Sequence, residues 1–132
     1  MLIKLRADMT VREVKWAFHQ AYPYLKLEFF VQEHATGEGT SLNKKVGDDT
    51  RLTDVRGFMK EGTINIEPQQ TVAELEQQFQ QRFNLPVQVF RKAISIWLET
   101  TGTDKLTLHK QNEMGKESTL GLKDVSTENE EE

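Results

Sequence analysis

The 132-residue chain has no cysteine, which excludes disulfides, thiolate nucleophiles and sulfur ligands for zinc or iron–sulfur clusters. Its formal charge of −4 resides in the last ten residues, KDVSTENEEE, where five acids accompany one lysine, so the body is neutral and positions 123–132 read as a solvated, disordered acidic tail. No stretch approaches the roughly 20 apolar residues of a membrane helix, and MLIKLRADMT lacks the marks of a signal peptide, which predicts a cytoplasmic protein with no membrane association and a single domain over residues 1–122.

In chain order, LIKLRA alternates as a strand does, and Thr10 with Glu13 then forms a capping box. Val11, Val14, Phe18 and Tyr22 follow at helical intervals as one apolar stripe, with Trp16 well off it, and Pro23 stands at the helix exit. LKLEFFV is a second alternating strand. Positions 34–50, HATGEGTSLNKKVGDDT, are polar and glycine-rich and read as a mobile surface loop. TRLTDVRG has the form of a short helix closed by glycine.

The pattern then starts again. TINIEP alternates, Thr71 and Glu74 form a second capping box, and Val72, Leu75, Phe79 and Phe83 make a second stripe. Pro86 precedes the strand VQVFRK, which a turn at Lys92 and Ala93 would join to ISIWLE as a hairpin. DKLTLHKQNEMG reads as another short helix, with Thr103 or Asp104 as N-cap and Gly115 as its stop.

Residues 3–18 overlay residues 64–79 without a gap, and beyond the helix Leu25, Leu27, Phe29 and Phe30 align with Leu85, Val87, Val89 and Phe90. Such self-similarity points to an internal duplication, with copies at about 1–60 and 61–122. Two strand-helix-strand units with right-handed crossovers can interleave into one α+β sheet covered on one face by both helices. That is the ferredoxin-like plan, with the first strand of each copy in the centre. A β-grasp arrangement is the alternative, since TLHKQNEMGKESTLGL resembles the last helical turn and closing strand of ubiquitin-like folds.

The VFRK strand, the WLETT strand and the segment containing Asp104, Gln111, Asn112 and Gly115, together with PYLKLEFF upstream, resemble a family of small bacterial proteins of unassigned function. The resemblance carries no catalytic assignment, and the sequence holds no cofactor fingerprint, so no cofactor is expected.

The residues themselves offer few chemical groups. His19, His34 and His109 show no metal-ligand spacing, and GEGTSLNKK departs from a P-loop because Leu42 and Asn43 intervene and no helical stripe follows. Trp16 off its stripe is a candidate interface anchor or the floor of a satellite cluster under the long loop. Strand alternation sends Phe30 and Phe90 away from the helices, where Trp97 can join them beside Lys4 and Arg6 of the first strand. Gln111 and Asn112 are left over, and their amides suit either a polar ligand contact or a bond to the neighbouring loop. The leading expectation is a non-enzymatic module that binds a protein, or its own copy, through the aromatic face, Trp16, or both. Single-stranded nucleic acid, which stacks on aromatics beside cations, ranks second because the body is neutral. An enzyme ranks third, for want of a nucleophile with its base or a paired acid and base.

Overall fold

A computed structural model describes residues 1–34 and 41–121. Its elements run in the order β1 (Leu2–Leu5), α1 (Val11–Ala21), β2 (Leu25–His34), β3 (Ser41–Lys45), α2 (Leu52–Val55), β4 (Gly62–Asn65), α3 (Val72–Phe83), β5 (Val87–Ala93), β6 (Ile96–Glu99) and α4 (Leu108–Leu120), with a 3-10 turn at Thr101–Thr103.

Helices α1 and α3 start where the sequence places them, because each first turn has all its donors satisfied. The Thr10 and Thr71 hydroxyls accept from the N–H groups of Glu13 and Glu74, whose carboxylates return a bond to the cap. The two preceding donors are taken by backbone: Val11 and Arg12 donate to the carbonyls of Thr50 and Asp48, both at 2.9 Å, and Val72 and Ala73 donate to Leu106 and Asp104 at 3.1 and 2.9 Å. Leu52 donates back to Met9 at 2.7 Å, and Leu108 to Gln70 at 2.8 Å. The two halves thus repeat the same hydrogen bonds at the same places, each tying its helix start to the segment that leads into α2 or α4.

The α+β class holds, and the strands divide into two sheets. The first strands of the two halves do pair, β1 antiparallel to β4, with Ile3 opposite Ile64. The second strands do not flank them as an interleaved sheet requires. They form a separate four-stranded sheet in the order β3-β2-β5-β6, with Leu27 opposite Val89. β2 pairs with β5 over residues 25–29 and with β3 over 30–34, and β5 pairs on its other side with β6, so the second strands take these partners in place of β1 and β4. Ile3, Leu5 and Ile64 from the small sheet, Ile66 just beyond it, and Leu25, Leu27, Phe29 and Val89 from the large sheet are buried in one core with Val14, Phe18, Leu75 and Phe79 of the helices. Among the described residues no helix is long and apolar enough to cross a membrane.

Four local readings are corrected. Strand β3 occupies positions 41–45 inside the stretch read as a loop, held to β2 from Phe30 opposite Lys45 to His34 opposite Ser41; positions 35–40 and the acidic tail lie outside the described residues. Lys92 and Ala93 belong to the β5–β6 ladder, opposite Trp97 and Ile96, and the turn is at Ile94 and Ser95. Helix α4 is capped by Thr107, not Thr103 or Asp104, because the chain makes a 3-10 turn at Thr101–Thr103 and the Thr107 hydroxyl is the one that accepts an N–H of the first helical turn, from Lys110. It also runs through Gly115 to Leu120 and stops at Gly121, whose φ is +67°, so no closing strand of the ubiquitin type forms there. Gly115 serves a different need: a Cβ there would lie 2.9 Å from Tyr24 Cβ and 3.1 Å from Arg91 Cγ.

Candidate functional site

Helix α1 turns Val11, Val14 and Phe18 into the core, which leaves Arg12, Lys15, Trp16 and His19 on the rest of its surface. Strand β2 alternates in the same way, burying Leu25, Leu27 and Phe29 and sending Lys26 and Phe30 outward. Where the two elements meet β6, Arg12, Lys15, Trp16, His19 and Lys26 line a cleft of about 290 Å³ with Asp48 and Trp97. Trp16, 65% exposed, stands at its rim. The Trp97 ring lies edge-on to His19 with centroids 6.2 Å apart, and Lys26 Nζ sits 4.9 Å above it and 5.7 Å above Phe90. His19 is itself oriented by donating from Nδ1 to the Leu25 carbonyl at 2.8 Å.

A charge cluster centred on the buried Glu28 adjoins the cleft. Glu28 accepts from Lys15 at 2.8 Å and pairs with Lys26 at 3.2 Å and Lys45 at 3.4 Å. Lys15 also reaches Asp48 at 2.7 Å, and Arg12 pairs with Asp49. Burial by itself would raise the Glu28 carboxyl, but the bonds from Lys15 and Lys26 outweigh it and hold the group below the usual carboxylate range. Burial likewise opposes the charge on Lys15, and the bonds from Asp48 and Glu28 overcome it and raise the ammonium above its ordinary value. The cations around the cleft are therefore committed to acids of the same chain.

The second half has the equivalent cleft with different chemistry. At the offset of 61 residues, Arg12, Lys15, Trp16 and His19 are replaced by Ala73, Glu76, Gln77 and Gln80, and these line the α3–β5 hollow with Pro86 and Asp104. Glu76 accepts the Val89 N–H at 3.0 Å. Burial pushes its carboxyl up to about 6, against the Val89 bond and with the help of nearby Asp104. It also lines a larger polar hollow of about 680 Å³ with Phe30, Arg56, Gln88, Glu99 and Thr101. No protein-family model, curated protein or solved structure matches this chain.

The candidate residues of the sequence accordingly separate. Trp16, Trp97 and Phe90 gather around Lys26, whereas Phe30 faces the polar hollow. Lys4 and Arg6 do not share this face: Lys4 is exposed on β1, in the other sheet, and Arg6 just beyond it pairs with Asp8. Gln111 is fully buried, accepting from Arg91 Nη1 at 2.9 Å and donating to the Thr103 carbonyl at 2.7 Å. Asn112 accepts the Tyr24 N–H at 2.9 Å. Both amides fasten α4 to its neighbours. Lys15, Glu28 and Glu76 were not singled out by sequence, although the offset already sets Lys15 opposite Glu76, a reversal of charge at matched positions.

Proposed function

We propose that this chain is a cytoplasmic, non-enzymatic protein-interaction module, built as an internal duplication, whose first half captures a segment of a partner protein at the Trp16–Trp97 cleft. The observation that carries the reading is Trp16, a large apolar side chain 65% exposed on an open cleft that a second tryptophan, Trp97, also lines. Tryptophan at such a position supplies much contact area at little conformational cost, and an apolar side chain from a partner has a place to dock between the rings. The matched position in the second half is Gln77, so the capability belongs to one half.

The same geometry disfavours single-stranded nucleic acid. Stacking rings are present, but Lys15, Lys26 and Lys45 converge on Glu28, Arg12 is paired with Asp49, and Lys4 and Arg6 lie on another sheet. Little positive charge is left to replace counterions on a phosphate backbone. The test is capture of protein from the native cell by wild type and by Trp16→Ala. Bound protein that survives nuclease and is lost with Trp16→Ala, at unchanged melting temperature, supports the reading. Capture abolished by nuclease, or unaffected by Trp16→Ala, overturns it.

A further inference from the structure

The four-stranded sheet ends in two edges of opposite character. β3 closes one with Lys44 and Lys45, side chains of the kind that keep a strand edge from pairing with other chains. β6 closes the other. There Ile96 is 57% exposed, Leu98 is 37% exposed, and Ile94 in the turn that leads into the strand is 69% exposed. No lysine or arginine lies on this strand.

The backbone direction of β6 follows from its neighbour. Lys92 N–H bonds the Tyr24 carbonyl, and the Pro86 carbonyl accepts from Phe30, so the even-numbered residues of this strand face β2 and the odd-numbered ones face β6. Arg91 is opposite Leu98 and Ala93 opposite Ile96, so Ile96 and Leu98 supply the bonds to β5. The N–H and C=O groups of Trp97 and Glu99 point out of the sheet, and among the described residues none is bonded to them. An extended strand is the occupant that satisfies such an edge.

We propose that this occupant is β6 of a second copy, paired antiparallel about a twofold axis at Trp97. A twofold perpendicular to the sheet sets one residue opposite its own copy, and the outward backbone allows Trp97 or Glu99 in that place. Charge selects Trp97, because centring on Glu99 would set two carboxylates face to face. With Trp97 central, Ile96 lies opposite Leu98 of the second copy, and each Glu99 lies opposite a Ser95 hydroxyl. The strand is self-complementary in backbone, apolar surface and charge. One four-residue strand from each copy makes a small contact, so the association is weak and concentration-dependent. It does not rest on capture of a partner at the Trp16 cleft.

Sedimentation over a range of protein concentration tests the pairing. The expected mass rises from 15.3 kDa toward twice that value, and Ile96→Lys weakens the association at least tenfold without lowering the melting temperature. The register has its own test, since the native chain lacks cysteine. Ile96→Cys and Leu98→Cys proteins, mixed and mildly oxidised, should cross-link to each other, because facing residues in a non-hydrogen-bonded pair lie about 4.5 Å apart between Cα atoms, within disulfide reach. Each variant alone should cross-link far less. A mass that stays monomeric at every concentration, or cross-linking as strong in the unmixed variants, would overturn the proposal.

Discussion

Lys15 Nζ lies 2.8 Å from a carboxylate oxygen of Glu28, and Glu28 is only 2% exposed. A carboxylate so far removed from water is tolerable only while cations answer it, and Lys15 is the nearest of three. Lys15→Met should therefore destabilise the fold by about 2 kcal/mol, the scale of a lost hydrogen bond to a charged group. The pH dependence has a definite sign. The folded carboxyl of Glu28 titrates below its unfolded value, so its contribution is complete above the ordinary carboxylate pKa and disappears as pH falls through the lower folded one. Urea melts from pH 7 downward should show stability falling on the acid side for wild type, with a shallower fall for Glu28→Gln.

Glu76, which stands where Lys15 stands in the first half, should give the opposite slope. Its folded carboxyl titrates at about 6, above its ordinary value of 4.5, so the native state holds the proton more tightly than the unfolded chain does. Stability from this group is full below about pH 4.5 and is lost as pH rises through 6. Glu76→Gln keeps an acceptor for the Val89 N–H and removes the charge. It should stabilise the protein by about 1 kcal/mol at pH 7, a figure already reduced for partial contact with water. Melts at pH 4.5 and pH 7 check it, and an equal effect at both would mean that the carboxyl is not perturbed.

The helix starts were legible because their determinants are local. A threonine and a glutamate three residues apart specify a cap, and the stripes from Val11 to Phe18 and from Val72 to Phe83 specify a buried face. Sheet partition was not legible, since nothing in LIKLRA or LKLEFFV records which distant strand completes its ladder. β3 escaped because SLNKK has no apolar alternation to mark it. The site was half legible. The position of Trp16 off the stripe foretold its exposure, whereas Glu28 reads as an ordinary outward strand residue until three lysines are seen to converge on it. Gly115 misled because glycine near a helix end usually stops it, and here it admits Tyr24 instead.

That close approach makes Gly115→Ala a useful probe. Alanine is worth about 1 kcal/mol more than glycine in a helix interior, so propensity alone predicts stabilisation. The new Cβ would meet Tyr24 Cβ at 2.9 Å and the Tyr24 carbonyl oxygen at 3.0 Å, and the second of these is backbone that cannot rotate away. Overpacking of this kind costs about 1 to 3 kcal/mol. The expected result is a net loss of about 1 kcal/mol in denaturant melts, and a gain would show that α4 moves freely against β2.

Phe18 and Phe79 occupy matched positions in the two helices, and each is fully buried. Phe18 packs on Tyr22 with ring centroids 5.2 Å apart, and Phe79 meets Phe29 edge-on at 6.1 Å. Truncation leaves a cavity that neither helix can close without breaking the bonds at its capped start. Phe18→Ala and Phe79→Ala should each cost about 3 to 5 kcal/mol. Denaturant midpoints measure both, and a cost below about 1 kcal/mol for either would contradict the shared core.

The β5–β6 turn offers the remaining test, one in which a natural residue opposes its own backbone. Ile94 has φ +59°, and among the described non-glycine residues the only other positive value is at Asn84. With φ positive at Ile94 and not at Ser95, the connection has the form of a type II′ turn, whose first central position favours glycine. A β-branched side chain there is strained, by roughly 1 to 3 kcal/mol. Ile94 is also 69% exposed, so replacing it removes little buried surface. Ile94→Gly should consequently stabilise the isolated fold by about 1 kcal/mol, after the greater unfolded-state freedom of glycine is set against the relieved strain. Ile94→Ala, which keeps a Cβ at the same positive φ, should gain much less. Thermal melts of both variants at low protein concentration, where strand β6 is unpaired between copies, separate the backbone effect from loss of the side chain, and equal shifts for the two would show that the turn carries no strain at Ile94.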